Sequence, residues 1–335
     1  MFLDRKVVRE DILAAYELIL GRQAQAEDEA IFSGWVGEMS LRDLRDGFLR
    51  SDEFISIYSR LAGAEIRQAL RCRMLGDDMY EPPQVQWRAS EEQLEKLLKH
   101  SEEVWSSYGE DEAYWSVRTL PQYAGRNLTK EILDEFYFSG EMSVKKLELA
   151  LRRCNEWENV QQKRCLDFGC GVGRMTVHLS RIFSTVTGMD ISRGHLKLAA
   201  EIMRKSQISN VELRKVSKLE DLKTSGSFDL IYSLIVLQHN PPPVIARVID
   251  TFFKILNPGG VAVFQVPVRQ SNYTFVIDDY LERMNEINEM EMHIIPQNAI
   301  FEIAGQNNCF VCEVQGDTLT EAATMASYTF VFKKG

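Results

Sequence analysis

The chain has 335 residues, of which 45% are hydrophobic and 26% charged, a composition typical of a folded globular protein with about two domains. Its 39 basic and 49 acidic residues give a net charge of −10, so we expect no general attraction to nucleic acid or to an anionic membrane. The longest mostly apolar run, residues 230–237, is far shorter than the roughly 20 residues that span a bilayer. Charges at residues 4–6 do not suit a signal peptide. We therefore expect no membrane insertion and a cytoplasmic location.

The first seventy-five residues predict several short helices. Apolar residues recur at helical spacing between Val8 and Ile19, and Ser40 with Asp43 has the spacing of a capping box. Another helix is predicted to begin near Ser51, with acidic residues in its first turn. We predict a small all-helical domain over residues 1–75, followed by a polar, proline-containing linker over residues 76–88.

Residues 89–160 predict further helices. Ser90 and Gln93 have the spacing of a capping box, and the helix that they begin runs to about Gly109. A second helix is predicted to begin at Ser143, with its apolar residues on one stripe. We interpret this region as a helical lead-in that could cover the ligand site of the domain that follows.

From Arg164 onward, strands and helices alternate, which is the rhythm of a parallel sheet covered by helices. The predicted fold is α/β, with a seven-stranded, mostly parallel, Rossmann-like sheet over residues 161–335. Its strands are predicted near 164–169, 185–190, 210–216, 228–234, 260–267, 309–315 and 327–333. Its helices are predicted near 173–183, 193–206, 243–256 and 297–307.

The six cysteines do not form the dense pattern of a disulfide scaffold. Cys309 and Cys312 have CxxC spacing, but the residues around them predict a strand. Residues three apart on a strand point to opposite faces, so this pair cannot hold one metal ion without a turn. No acidic cluster has the spacing of a divalent-metal site, and we predict metal independence.

A glycine-rich turn follows the first predicted strand of the sheet. Gly169, Gly171 and Gly173 let the backbone turn sharply and let a ligand approach it without meeting a Cβ atom. The next predicted strand ends at Asp190, about twenty residues beyond Gly171, where an acid accepts hydrogen bonds from the hydroxyls of a ribose. The two features predict an adenosine-type ligand at the carboxyl edge of the sheet. Asp167, facing the turn, favours a cationic ligand over a pyrophosphate.

This GxGxG turn with its preceding acid resembles the first motif of class I S-adenosylmethionine-dependent methyltransferases. Residues 228–239 resemble the fourth-strand region of that family, and residues 256–260 resemble the turn before its fifth strand. The resemblance covers about residues 163–332. It implies the seven-stranded methyltransferase fold, methyl transfer as the activity, and S-adenosylmethionine as the methyl donor.

The resemblance also implies roles for individual residues. Gly169 and Gly171 would pass under the methionine part of the donor, Asp167 would help to hold its ammonium through nearby groups, and Asp190 would bind the ribose hydroxyls. Ser217 stands where the family often has an acid that binds adenine, so this adenine contact departs from the family pattern. For both acids the alternative is a strand-end residue that caps a neighbouring helix. The implied cofactor-binding residues are Asp167, Gly169, Gly171, Gly173, Asp190, Ile191, Ser217, Ser233 and Gln238.

A hydroxyl acceptor must lose a proton, so a base is expected near the methyl group. His239 is the first candidate because it follows the fourth strand at the ligand-binding edge of the sheet. Its alternative role is a structural histidine of the proline-rich loop 240–243. Glu291 and His293 are further candidates, in an insert after the fifth strand that usually shapes the acceptor pocket in the family; a solvated loop is the alternative. We interpret His178 and His195 as surface residues. A histidine base with an unperturbed pKa predicts that the rate falls below about pH 6.5.

The acceptor does not follow from these motifs. Motifs within residues 8–61, such as Phe48-Leu49-Arg50-Ser51-Asp52-Glu53-Phe54, resemble a small helical bacterial module that often occurs beside glycan-modifying enzymes. The module could bind a protein partner, and its association favours O-methylation of a sugar or glycan-related hydroxyl. The alternatives are an N- or C-methyltransferase of a small metabolite, and a non-catalytic partner-binding protein that keeps a methyltransferase fold.

Overall fold

The computed structural model describes residues 5–20, 22–25, 28, 32, 34–51, 53–54, 84–125, 128–224, 226–270, 273–320 and 325–335. The chain divides into two compact units, Met1–Pro82 with Glu321–Ala326, and Pro83–Thr320 with Ser327–Gly335. Of the predicted linker, residues 76–83 lie outside the described residues. Residues 84–88 belong to the second unit, where Val85 forms a bridge with Phe275.

The first unit contains two described helices, α1 (Arg9–Leu20) and α2 (Leu41–Arg50). Ser40 caps α2, because its side chain accepts a hydrogen bond from the backbone N–H of Asp43, as the sequence predicts. The helix predicted after Ser51 lies almost wholly outside the described residues. Apolar side chains from α1, α2, the segment between them and the residues just before α1 form a small core of Val7, Ile12, Ala15, Tyr16, Leu20, Phe32, Leu44 and Phe48.

Two long helices begin the second unit. Helix α3 (Glu91–Asp111) starts at the predicted capping box, in which Ser90 and Gln93 satisfy each other's backbone N–H groups. Helix α4 (Lys130–Arg153) is capped by Thr129, so the prediction of a helix start at Ser143 is wrong by more than three turns. The middle of α4 packs closely on the next domain: a Cβ atom at Gly140 would lie 2.1 Å from the carbonyl oxygen of Arg174. The glycine inside α4 therefore reflects close packing.

Seven strands form one sheet in the order β3-β2-β1-β4-β5-β7-β6. Strands β1 to β5 pair in parallel, and β6 pairs with β7 in the antiparallel sense. The predicted α/β fold with a mostly parallel sheet is confirmed. The strands are β1 (Arg164–Phe168), β2 (Thr185–Asp190), β3 (Val211–Lys215), β4 (Phe228–Ser233), β5 (Leu256–Gln270), β6 (Cys309–Asp317) and β7 (Met325–Lys334).

Helices connect the strands and cover both faces of the sheet. The first connection contains only a short α5, where the sequence predicts a helix over 173–183; turns make up most of that segment. The helices are α5 (Thr176–Leu179), α6 (Arg193–Lys205), α7 (Leu219–Lys223), α8 (Pro242–Ile255), α9 (Ile277–Arg283) and α10 (Gln297–Gln306). Short 3-10 helices lie at Pro121–Tyr123, Val160–Gln162, Leu237–His239 and Met284–Glu286.

The two faces of the sheet have separate apolar cores. The larger core contains α8, α10 and side chains of α3, and the smaller contains α4 and the first βα connection. Cys309 and Cys312 both lie on β6, where the first is buried and the second exposed, so the predicted strand is confirmed. The pairing register shifts between Val311 and Glu313, so burial does not alternate regularly there. Among the described helices, none combines the length and the apolar character that a membrane span requires.

Candidate active site

A cleft of about 940 Å³, including its open mouth, lies at the carboxyl ends of β1, β2 and β4. This is the edge at which open α/β sheets bind their ligands. The glycine turn after β1, the end of β2 and the loop after β4 contribute to its walls. The lead-in region contributes Leu98 and Trp105 from α3 and Ser116 and Val117 from the turn that follows.

The floor of the cleft requires glycine at two positions. Gly169 has a φ of 73°, and a Cβ atom there would lie 2.3 Å from the side chain of Val236. Gly171 has a φ of 53°, and a Cβ atom there would lie 2.8 Å from Val117. Side chains at either position would therefore meet the walls and narrow the cleft. Gly173 lies elsewhere: it packs against Met203 of α6 and does not line the cleft.

Asp190, at the end of β2, lines the cleft with a side chain that is 10% exposed. Its Oδ2 atom accepts a hydrogen bond of 2.8 Å from the N–H of Gly171, and its Oδ1 atom accepts one of 2.8 Å from the N–H of Ser192. Each carboxylate oxygen keeps capacity for a further donor, which is what two ribose hydroxyls would supply. Ile191 lines the same wall.

Two histidines that we interpreted as surface residues are buried, so that interpretation is wrong. His195 lies in the cleft wall, with Nδ1 3.6 Å from Asp190 Oδ1 and Nε2 2.9 Å from the hydroxyl of Ser116. His178 packs under α4, where its Nε2 lies 2.8 Å from the carbonyl oxygen of Tyr137. Both lie on the inner sides of their connections because α3 and α4, whose packing the sequence did not predict, cover them.

Asp167 lies in β1 beneath the glycine turn and is fully buried. The hydroxyl of Thr176 donates to its Oδ2 at 2.7 Å, whereas Oδ1 has no hydrogen-bond partner among the described residues. Burial raises the pKa of Asp167 to about 6. The residue does not itself line the cleft. Any effect on a bound ammonium group is therefore electrostatic and acts through the turn above it.

Arg174 is a cleft residue that the motif analysis missed. It is 6% exposed, its Nη1 atom lies 3.3 Å from the hydroxyls of Ser139 and Ser143, and its Nε atom has no partner among the described residues. Burial lowers the pKa of this guanidinium group. A buried cation without a paired carboxylate in the described structure suits an anionic group of a ligand. The available signal was a basic residue directly after the last glycine of the turn.

Like Asp167 and Gly173, three further proposed cofactor residues lie outside the cleft. Ser217 is exposed, and its backbone N–H donates to Asp221, while Val216 beside it lines the cleft. Ser233 is fully buried, and its hydroxyl has no partner in the described part of the chain. Gln238 is buried behind the site, where its Oε1 accepts a hydrogen bond of 3.0 Å from Gln265.

His239 lies where the cleft meets a second, smaller pocket. Its Nδ1 is 2.9 Å from the backbone carbonyl oxygen of Glu291, and because a carbonyl only accepts, Nδ1 carries the proton. Nε2 is then an acceptor, 3.3 Å from the amide nitrogen of Gln238. Burial lowers the pKa of His239 to about 4, so the expectation of a pKa near 6.5 is wrong.

The second pocket has a volume of about 280 Å³, and it shares Trp105 and His239 with the cleft. Glu291 and His293 both line it, so the structure brings all three candidate catalytic residues together. Tyr280 donates a hydrogen bond of 2.7 Å to Glu291, and the His293 Nε2 atom lies 3.5 Å from the same carboxylate oxygen. Burial opposes ionisation of Glu291, but these two neighbours outweigh it and hold its pKa below the usual range.

The residues of the cleft fit an S-adenosylmethionine molecule. The two glycines leave space for a ligand against the backbone, Asp190 offers a carboxylate to its ribose, and the Nε atom of Arg174 offers an unpaired donor to its carboxylate. Leu98, Ile191 and Val216 provide an apolar wall for an adenine ring. Within the described ranges, no three His, Cys, Asp or Glu side chains are grouped as metal ligands.

Comparison with known proteins gives matches to methyltransferases. The model of a family described as a methyltransferase domain matches residues 165–260. A ubiquinone biosynthesis O-methyltransferase of Psychrobacter cryohalolentis is 29% identical over 188 residues, which are 55% of this chain and 67% of that protein. Another, of Nitrosococcus oceani, is 36% identical over 30% of this chain and 42% of that protein. The chain thus spans about two thirds of the first relative and less than half of the second.

Among solved structures, magnesium protoporphyrin IX methyltransferase of Synechocystis PCC 6803 with bound S-adenosylhomocysteine is similar at a TM-score of 0.48 and 16% identity, over 70% of this chain and 98% of that one. The strand order of the sheet and the cleft over the glycine turn agree with the match of residues 165–260 to a methyltransferase domain. Residues 165–260 therefore form a methyltransferase domain, and its glycine turn and sheet fit the resemblance to class I S-adenosylmethionine-dependent methyltransferases.

Proposed function

We propose that the protein transfers a methyl group to a hydroxyl oxygen of a sugar or glycan-related acceptor, and that His239 removes the hydroxyl proton. The observation that carries this proposal is the place of His239, between the donor cleft and the second pocket, with its tautomer fixed. An acceptor in the second pocket would lie beside His239, which also lines the donor cleft.

S-adenosylmethionine, when bound, supplies a methyl group on a positively charged sulfur. Transfer of this methyl group to the acceptor oxygen would leave the electron pair of the broken carbon–sulfur bond on the sulfur. The hydroxyl proton passes to Nε2 of His239, which exchanges its hydrogen bond from the Gln238 amide for one from the acceptor hydroxyl. The backbone carbonyl oxygen of Glu291 keeps the proton on the other ring nitrogen. This backbone carbonyl therefore orients the base, as a carboxylate does in other acid–base sites.

The low pKa of His239 keeps the imidazole neutral at ordinary pH. His239 is then always neutral and able to accept a proton, but it binds the proton taken from the hydroxyl only weakly. Alignment of the reacting groups must therefore supply a large part of the rate. Trp105 lies against the His239 ring, with 5.2 Å between ring centroids, and it limits water at the junction of the two cavities.

The names of the similar proteins support oxygen as the acceptor atom, since both relatives described above are O-methyltransferases. Those names refer to ubiquinone biosynthesis, so they do not support a sugar acceptor. The support for a sugar is the polar lining of the second pocket, to which Ser101, His293 and Glu291 contribute. A base at the junction favours an acceptor that must lose a proton over carbon or unprotonated nitrogen.

Product analysis tests the proposal. The protein is incubated with methyl-labelled S-adenosylmethionine and a panel of glycosides, phenols and amines, and each labelled product is characterised by mass spectrometry and NMR. We expect the label on a hydroxyl oxygen. Label on nitrogen or carbon would contradict O-methylation. Donor binding without turnover of any acceptor would favour the non-catalytic alternative.

A further inference from the structure

The second pocket, which we call the acceptor pocket, contains two buried polar side chains that the chemistry above does not use. His100 is 8% exposed and Ser101 is 4% exposed, and both belong to the middle of α3. Neither forms a hydrogen bond with the described part of the protein, and both line the pocket. Their polar atoms are not sealed in the core but open to the pocket, where water or a ligand reaches them. These two side chains therefore offer their hydrogen-bonding capacity to a ligand.

The charge of the acceptor pocket restricts that ligand. Its lining contains two carboxylates, Glu289 and Glu291, and no lysine or arginine. Arg283 lies nearby, over the ring of Tyr280, but outside the lining. His239 is neutral because burial holds its pKa near 4. A carboxylate or phosphate on the acceptor would thus face the like charges of Glu289 and Glu291 in a partly desolvated space, with no lysine or arginine among the described lining residues to pair with.

The shape and remaining lining suit a small ring that carries several hydroxyls. Trp105 offers an aromatic face beside His239, and Ser101 offers a hydroxyl that both donates and accepts. Glu291 has one oxygen bonded to Tyr280 and can accept from a ligand hydroxyl through the other. The volume of about 280 Å³ includes the open mouth of the pocket, so a bound ring would be only partly enclosed.

We infer that the acceptor pocket binds an uncharged sugar ring, which His100 and Ser101 recognise by hydrogen bonds, and that it excludes acceptors carrying a carboxylate or a phosphate. This inference rests on the proposed function, since it specifies the acceptor of the same reaction. It holds equally for a free sugar and for a sugar residue at the end of a glycan.

Binding of simple probes tests the inference. Calorimetry in saturating S-adenosylhomocysteine measures the affinity for methyl glycosides of neutral hexoses and deoxyhexoses, for the methyl glycoside of a hexuronic acid, and for a hexose phosphate. We expect a neutral glycoside to bind at least about tenfold more tightly than its acidic counterparts, as one unpaired charge predicts. Ser101→Ala should weaken that neutral glycoside by about three- to tenfold. Ser107→Ala, on an exposed position of the same helix, is the matched control and should have no effect.

A second variant tests the charge argument. Glu291→Gln removes the carboxylate charge and keeps the shape, so the preference for neutral over acidic glycosides should decrease by about tenfold.

Equal binding of acidic and neutral glycosides to the unaltered protein would overturn the inference, as would a failure of every glycoside to bind while S-adenosylhomocysteine binds. Methylation of phenols in place of glycosides would also overturn it and would leave O-methylation standing. Label on nitrogen, by contrast, would overturn the proposed function itself. A glycan fragment tested beside the free methyl glycoside distinguishes the two sources of the sugar.

Discussion

The carboxylate of Asp190 accepts a hydrogen bond of 2.8 Å from the backbone N–H of Gly171. This bond joins the end of β2 to the glycine turn after β1, so the two sides of the donor cleft are held together by one side chain. The other oxygen of Asp190 accepts from Ser192 at the start of α6. Asp190 therefore shapes the cleft before any ligand is bound, and a substitution there acts on both the shape and the charge of the site.

Asp190→Asn should weaken the binding of S-adenosylmethionine by about ten- to a hundredfold, because the ribose hydroxyls and the Ser192 N–H lose a charged acceptor worth about 1.5–3 kcal/mol. Calorimetry measures the change. Asp221→Asn is the matched control, since Asp221 also accepts from two backbone N–H groups but lies outside the cleft. Equal losses of affinity in the two variants would contradict a specific role for Asp190.

Arg174→Gln should reduce the preference of the protein for ligands that carry the methionine carboxylate. The Nε atom of Arg174 is buried, unpartnered among the described residues and part of the cleft wall, so a bound carboxylate would pair with it. The measurement compares S-adenosylmethionine with its decarboxylated form in both proteins. We expect the unaltered protein to discriminate by about tenfold or more and the variant much less. If both proteins discriminate equally, another group binds the carboxylate.

Asp167→Asn should change the pH dependence of stability. Burial raises the pKa of Asp167 from 3.8 to about 6, so ionisation of the folded state is penalised: the penalty is absent below about pH 4 and complete above about pH 6. An asparagine does not ionise. Relative to the unaltered protein, the variant should therefore gain on the order of 3 kcal/mol of unfolding free energy between pH 4 and pH 8. Urea unfolding of both proteins at pH 4 and pH 8 gives the difference between their unfolding free energies at each pH. Comparing the two differences removes any effect of the substitution that does not depend on pH. If the difference between the unfolding free energies of the two proteins is the same at pH 4 and pH 8, Asp167 has an ordinary pKa.

The sequence was informative where a backbone conformation requires particular residues. The glycine turn and the acid at the end of the next strand are such positions, and both lie at the cleft, at Gly169, Gly171 and Asp190. The seven predicted strands also overlap the seven observed ones, because the alternation of strands and helices in the sequence marks each of them.

Contacts between distant parts of the chain were not predictable from local patterns. Arg174 and His195 are buried because α3 and α4 pack over the first two connections of the sheet, and no periodicity within those connections signals this. The positions of Ser217 and Ser233 came from the family pattern alone, and both lie outside the cleft. His100 and Ser101 have no motif at all: only their burial beside an open pocket distinguishes them.

His239→Asn tests the base with little disturbance of the structure. An asparagine amide can still donate to the carbonyl oxygen of Glu291, as Nδ1 of His239 does, but it cannot take up a proton. The rate of methyl transfer at saturating donor should fall by about 10²–10⁴, while the affinity for S-adenosylhomocysteine stays nearly unchanged. If the variant loses both donor affinity and thermal stability, the alternative of a structural histidine is favoured.

The pH profile separates His239 from the other candidates. Because burial holds the pKa of His239 near 4, the neutral base is complete above about pH 5, and the rate should fall only as the pH decreases through about 4. The unfolded protein, in which a histidine pKa is near 6.5, takes up this proton first, so stability also declines between pH 6.5 and 4 and must be followed by circular dichroism. Rates are therefore compared only where the protein remains folded.

In that pH range we expect a flat rate profile for the unaltered protein down to about pH 5, followed by an acidic limb that is missing from His239→Asn. A limb centred near pH 6.5 that persists in the variant would assign the proton to another group. His293, whose Nε2 lies 3.5 Å from the carboxylate of Glu291 in the same pocket, would then be the next residue to replace.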